Sequence, residues 1–338
     1  MEKFLWKLSF LGLFVLYLMA TPLHASSGDN DNDGIFDSLE NQIMDKYAPQ
    51  LILHPDEDYA ISSVNWYLER VAMRFHHRGC LDEQILNSGD VNQSSLLLQQ
   101  NYLKGNFCID NNTIVYSTDA RDTYKDGGFF LQPSNENEFD QLVYKGDSNQ
   151  ANWRIYAHIQ QSTTLDNGYD IQYWFFYPFN EAPSVAGVKL NHEGDWEHIT
   201  VTVDNSLNFH NAYYASHNDE GKRYSASELT FANPNGIYAA SNEKLTGNFT
   251  HPVIYSAKGT HASYPTAGTQ DRGILPTDYT GNGQVWNSVT KVINVGEKEA
   301  PLNGQTFIQY GGLWGEIGNT SISTGPKGPA FQSAWFNE

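Results

Sequence analysis

The chain has 338 residues, with 20 Lys and Arg set against 39 Asp and Glu, a formal charge of −19 at pH 7. A field of that sign repels nucleic acid, and it repels anionic membranes unless divalent cations intervene. It suits neutral or cationic partners and calcium. The length is enough for one large domain or a core domain with appendages.

Lys3 and Lys7 precede an apolar run, "FLGLFVLYLMA", and "TPLHASS" follows it. The run is too short to span a bilayer, and Ala25 is a small residue at a cleavage position. Residues 1–25 therefore read as a Sec-type signal peptide, and the protein as exported, periplasmic or secreted. Cys80 and Cys108 are the two cysteines. In an oxidising compartment they are expected to pair, at a gain of about 3 kcal/mol by loop closure. Two free buried thiols are the alternative, since spacing does not fix their separation.

Residues 26–46 open with "GDNDNDGIFDSLE". Counted from Asp29, carboxylates fall at loop positions one, three, five, nine and twelve, namely Asp29, Asp31, Asp33, Asp37 and Glu40. Gly34 at position six allows the sharp turn, Ile35 offers its carbonyl, and Glu40 can chelate with both oxygens. Calcium wants six to eight oxygens, and this spacing wraps them around one ion. The other reading is an acidic linker. A short helix is expected to follow through Tyr47, stopped by Pro49.

In residues 47–338, Ser62 or Ser63 caps an expected helix with Val64, Tyr67, Leu68 and Val71 on its apolar face. From Arg154 the periodicity turns to two. "RIYAHIQQST", "YDIQYWFFYP", "EHITVTVD", "NAYYASH", "GIYAAS", "HPVIYSA", "WNSVTKVINV" and "TFIQYGG" are short, β-branched and aromatic, separated by Gly, Asn, Asp and Pro. They read as strands. The expected fold is mainly β, an antiparallel β-sandwich with short N-terminal and peripheral helices.

Asn191–Ile199, "NHEGDWEHI", concentrates the chemistry. On a strand, Asp195, Glu197, Ile199, Val201 and Val203 share one face, and Trp196, His198, Thr200 and Thr202 the other. Two carboxylates thus head an apolar row, where an ionised carboxylate must be paired, neutralised or bound to metal. His192 stands just before them, beside the bend at Gly194. One imidazole and two carboxylates suit a divalent cation, calcium or magnesium. A hydrogen-bonded network at the core rim would use the same residues.

"YWFFYPFNEAP", "HEGDWEHI", "YSAKGTHASYPTAG" and "YGGLWGEIG" followed by "GPKGPAFQSAW" closely resemble the Vps62 family, in family order, from about Tyr47 to Trp335. More distantly, the chain is similar to the Nep1-like necrosis- and ethylene-inducing proteins. Those are β-sandwich cytolysins that bind a divalent cation and sphingolipid head groups. The second resemblance implies metal ligation by His192, Asp195 and Glu197. The family's further aspartate falls near Asn180 or Glu181, and Gly194 stands where the family has a second histidine. Asn180 would offer a carbonyl oxygen with one charge less. His261, in "KGTHASYP", is a loop histidine that could neighbour the site.

Three functions follow as expectations. The first is a secreted, divalent-cation-dependent glycan- or glycolipid-binding protein, with membrane-directed cytolysis as its sharpest form. The second is a metal-dependent hydrolase using the same cation, although G-x-S-x-G and H-E-x-x-H are both absent. In the third, the cation is purely structural.

Overall fold

Two twelve-residue strands, Tyr169–Asn180 and His192–Val203, pair antiparallel from Tyr169 opposite Val203 to Asn180 opposite His192. They form the centre of a six-stranded sheet in a computed structural model describing residues 28–103, 108, 112–133, 141–183, 190–217, 221–273 and 276–337. The signal segment at residues 1–25 lies outside the described residues. Phe209–Tyr214 and then Lys222–Tyr224 extend the sheet on one side. Ile155–Gln161 and then Val292–Asn294 extend it on the other, the last pairing being parallel.

Both faces of this sheet are covered. Tyr173, Phe175, Tyr177, Ile199 and Val201 pack on one side against Leu51, Phe231, Ile254 and Trp286. Those residues come from a second sheet of Phe231–Ala232, His251–Ser256, Gln50–Ile52 and Val285–Asn287, with Ser263–Tyr264 on its flank. Ile43 and Met44 of the Asp37–Lys46 helix join the same core. On the opposite face, Tyr156, Trp174, Phe176 and Trp196 pack against Val71, Met73, Phe75, Phe129 and Leu131 of a three-stranded sheet. Phe307, Trp314 and Trp335 of the C-terminal segment complete that layer. Covering on both faces explains why "DIQYWFFYPFN" is buried at every position instead of alternating. The chain is thus a mainly antiparallel β-sandwich of three layers, with two parallel pairings at Gln50–Ile52/His251–Ser256 and at the Val292–Asn294 edge.

Several local expectations change. The helix capped by Ser63 spans only Val64–Leu68. Val71–His76 is a strand instead, because its backbone pairs with Gly128–Pro133 residue for residue. "TFIQYGG" is not a strand but a 3₁₀ turn at Thr306–Gln309, which drops Phe307 and Ile308 into the core without a ladder. "GIYAAS" makes only a single bridge, Ala232 to Tyr238. "WNSVTKVINV" divides into Val285–Asn287 and Val292–Asn294, which belong to different sheets. Cys80 and Cys108 are bridged, with Cα atoms 5.3 Å apart. Among the described residues, no helix is long and apolar enough to cross a membrane.

Candidate functional site

Strand alternation places the motif as its sequence requires. Asp195 lies opposite Tyr177 and Glu197 opposite Phe175, on the face shared with Ile199 and Val201. Gly194 has φ 64°, and a Cβ there would stand 2.2 Å from the Trp314 carbonyl oxygen. The C-terminal "YGGLWGEIG" block therefore crosses the strand at this residue. No side chain fits, which is why a glycine occupies the position.

Asp195 meets His261, whose Nδ1 is 2.9 Å from Asp195 Oδ2. His261 comes from the loop after the His251–Ser256 strand and is held at φ 57°, a conformation that costs a non-glycine residue energy. The neighbouring loop explains how it is held. Glu181 N donates to the Gly259 carbonyl at 2.8 Å. Gly259 N in turn donates to Glu57 Oε2 at 2.7 Å. Glu57 Oε1 lies 3.8 Å from His261 Nε2, with both side chains at most 2% exposed. At that distance the contact is an ion pair, not a hydrogen bond. The imidazole also stacks on Tyr177, with centroids 3.8 Å apart and planes within 3°.

Burial by itself would lower the pKa of His261, but the Asp195 hydrogen bond and the Glu57 charge reverse that and raise it to about 9. His261 is thus an imidazolium clamped between two carboxylates. The same ion pair outweighs desolvation at Glu57 and holds its carboxyl below the usual range. Glu197 moves the other way: desolvation, then the charges of Asp195 and Asp278, push it well above 4.5. Asn180 Nδ2 donates to Asp195 Oδ2 at 3.2 Å, and its Oδ1 is buried with no partner.

Asp278 anchors the adjoining corner. His217 Nε2 lies 2.6 Å from Asp278 Oδ2, Tyr264 Oη donates to the same oxygen at 2.7 Å, and Thr260 Oγ1 donates to Oδ1 at 2.9 Å. Against desolvation, these partners hold Asp278 below its ordinary range. Tyr264 is also a wall of an open cavity of roughly 260 Å³, together with Tyr214, Tyr224, Ser216, Lys222 and Arg272. Lys222 Nζ sits 5.1 Å above the Tyr224 ring.

Of the residues singled out from sequence, Asn180, Asp195 and His261 are joined directly, and Glu197 lies within their electrostatic reach. His192 is turned back on its own strand, with Nδ1 2.7 Å from the Gly194 carbonyl. His198 stacks on Trp174 on the opposite face. Glu57, His217, Tyr264 and Asp278 escaped sequence reading, because each arrives from a distant segment with no informative spacing.

The acidic loop forms a separate cluster. Among the described residues, the two groups of three or more potential ligands with all ligand atoms within 4.8 Å are both here: Asp29, Asp31 and Asp37, and Asp31, Asp33 and Glu40. Desolvation, then Asp33, raises Asp31 to about 7; desolvation, then Asp31, raises Glu40 to about 8. The central residues, by contrast, are spread beyond that mutual distance.

The family described as "Vacuolar protein sorting-associated protein 62" matches residues 37–113 and 95–290. Vacuolar protein sorting-associated protein 62 of Saccharomyces cerevisiae is 24% identical over 352 residues, covering 92% of this chain and 70% of that protein. The vacuolar protein sorting-associated protein TDA6 of the same yeast is 28% identical over 196 residues, covering 49% of this chain and 42% of that one. Among solved structures, Necrosis and Ethylene inducing Protein 2, from the causal agent of cocoa's Witches Broom disease, overlaps with a TM-score of 0.30 at 13% identity. That overlap covers 66% of this chain and 67% of the other. NLPPya in complex with glucosamine gives a TM-score of 0.29 at 14% identity, over 56% and 69% of the two chains.

Proposed function

This chain belongs to the Vps62 family, and from that premise we propose that it is an exported protein that binds glycan or glycolipid head groups with the help of a divalent cation. The supporting observation is the junction at Tyr264. Its ring walls the open cavity, while its hydroxyl is bonded to Asp278 in the buried carboxylate cluster. Tyr224 and Tyr264 offer rings for the apolar side of a sugar, and Ser216, Lys222, Arg272 and Asp271 offer hydroxyl and charged groups for its polar edge. The excess negative charge of the whole chain favours neutral or cationic sugars.

The cation would be held by Asn180, Asp195 and Glu197. The partnerless Asn180 Oδ1 fits that role, and a cation there would lower the cost of the half-buried, desolvated Glu197. His192 would have to leave the Gly194 carbonyl to join them. The hydrolase alternative draws less support. Both nitrogens of His261 face carboxylates and its side chain is wholly buried, so this histidine is not placed to act as a base in the cavity.

The test is binding of the purified protein to a glycan array and to vesicles with and without a glycosphingolipid, each run in calcium and in EDTA. Binding that EDTA abolishes and that Asp195→Asn and Tyr264→Phe weaken is the expected result. An absence of cation-dependent binding to every surface sinks the proposal. Leakage from the glycolipid vesicles would extend it to the cytolysin form. A Glu197→Ala protein with a lower melting temperature but unaltered binding would leave the cation a structural role alone.

A further inference from the structure

The N-terminal acidic loop holds a second unresolved charge problem, far from the cavity. Hydrogen bonds from backbone N–H groups within the loop set its shape. Asp29 accepts from Asn32 N at 2.8 Å and Gly34 N at 3.2 Å, and Asp33 Oδ1 accepts from Ile35 N at 2.7 Å. Asn32 and Gly34 take the positive φ values of 65° and 90° that the turn requires. Asp37 N donates to the Gly28 carbonyl at 2.7 Å, closing the loop onto the start of the helix.

What the loop leaves over is a set of inward-facing oxygens. Both carboxylate oxygens of Asp31, Oδ2 of Asp33 and Oε1 of Glu40 are buried with no hydrogen-bond partner. Asp31 is 4% exposed and Glu40 0%. Four orphaned acidic oxygens in one place are far more costly than one, since each must be desolvated against the charge of the others. The neighbours add to the problem. Glu297, on the short Gly296–Glu297 strand, raises both Asp31 and Asp33 by its charge, and its own partner is His158 at 2.9 Å. Glu40 Oε2 does have a partner, accepting from Asn294 Nδ2 at 3.0 Å on the edge strand of the six-stranded sheet.

We propose that Asp31, Asp33 and Glu40, with Asp29, Asp37 and the Ile35 carbonyl around them, bind one calcium ion that clasps the leader loop and its helix to the edge of the six-stranded sheet, with Glu297 supplying the charge beside it. The donor set is all oxygen, at the spacing that wraps six to eight ligands around a large divalent cation. The clasp joins two parts of the chain because Glu40 belongs to the helix, while Asn294 and Glu297 come from the sheet margin more than 250 positions later. The ion therefore closes a long-range contact as well as a local turn.

The test uses calcium chloride alone, titrated calorimetrically into the chelator-stripped protein, with melting temperatures recorded in calcium and in EGTA. The wild type is expected to bind one loop equivalent that Asp31→Asn and Glu40→Gln abolish and that Asp195→Asn retains, distinct from the equivalent at Asn180, Asp195 and Glu197 that Asp195→Asn would remove. Glu297→Gln is expected to weaken it on the order of tenfold, as removing charge next to a metal's ligands does. In EGTA, Asp31→Asn should melt no lower than the wild type, because the amide removes repulsion from a site that has no ion. Full calcium uptake by the Asp31→Asn protein, or no uptake by the wild type, overturns the proposal. So does magnesium binding as tightly as calcium, or a lower melting temperature for Asp31→Asn in EGTA.

Discussion

Two of the carboxylate clusters among the described residues, one around Asp195 and one in the leader loop, are handled in opposite ways. Around Asp195, the acids meet histidines: His261 lies between Asp195 and Glu57, and His217 faces Asp278. In the leader loop, no Lys, Arg or His among the described residues bonds to Asp31, Asp33 or Glu40, His158 acting on Asp33 only through its charge, and four of their oxygens have no partner. A cluster whose acids are mostly balanced by its own cations is largely finished, and a metal beside the still-raised Glu197 would be an addition to it. A cluster of acids alone stays costly until something from solution completes it. The same residue type thus signals an internal brace in one place and an external ligand in the other.

The sharpest way to break this contrast is to remove the internal cation. His261→Ala leaves Asp195 and Glu57 buried and uncompensated, and should cost about 3–5 kcal/mol in urea unfolding. Asp31→Asn should cost nothing when calcium is absent. Equal losses from the two substitutions would erase the distinction.

The next effect is calcium itself. An excess of about 100-fold over its dissociation constant should stabilise the fold by about 2.7 kcal/mol, read as a higher melting temperature than in EGTA. The pH dependence separates the clusters further. In EGTA, Asp31 at about 7 and Glu40 at about 8 are acids raised above their unfolded values. The folded state holds those protons more tightly, so the stability these two groups contribute is complete below about pH 4 and declines as pH rises toward 8. Calcium should remove the loop's share of that decline and leave the share of Glu193, pushed up to about 8, and of the raised Glu197. His261, raised to about 9, contributes stability that is complete below about pH 6.5 and lost as pH climbs through 9, with or without calcium in the loop. A decline between pH 4 and 8 that persists undiminished in saturating calcium would place its cause outside the loop.

The smallest effect is at the cavity. Tyr264→Phe removes one of three donors to Asp278, and His217 and Thr260 remain. Stability should fall by roughly 1 kcal/mol for that one hydrogen bond, and sugar affinity should fall by less, since the ring stays but loses its anchor. An affinity unchanged by Tyr264→Phe, Tyr224→Ala and Arg272→Ala together would remove the cavity from the proposed function.

Local chemistry was legible wherever a few neighbouring residues carry it. The turn at Gly34, the helix to Lys46, the period-two strands and the facing of Asp195 and Glu197 toward the core follow from spacing, because backbone geometry repeats over two to four residues. The β-rich class follows from the same repeats. What only the tertiary structure decided were the meetings of distant segments. Glu57 beneath His261, Tyr264 on Asp278, Asn294 against Glu40 and Trp314 over Gly194 join strands, loops and termini with no shared period. Val71–His76 became a strand, and "TFIQYGG" a 3₁₀ turn, because pairing partners and core space outweigh local preference. Spacing therefore marked the loop acids and the facing of Asp195 and Glu197, but not Glu57 or Asp278, which arrive from distant segments. Whether each finds a histidine or an orphaned oxygen for company is set by which remote segment the fold brings alongside.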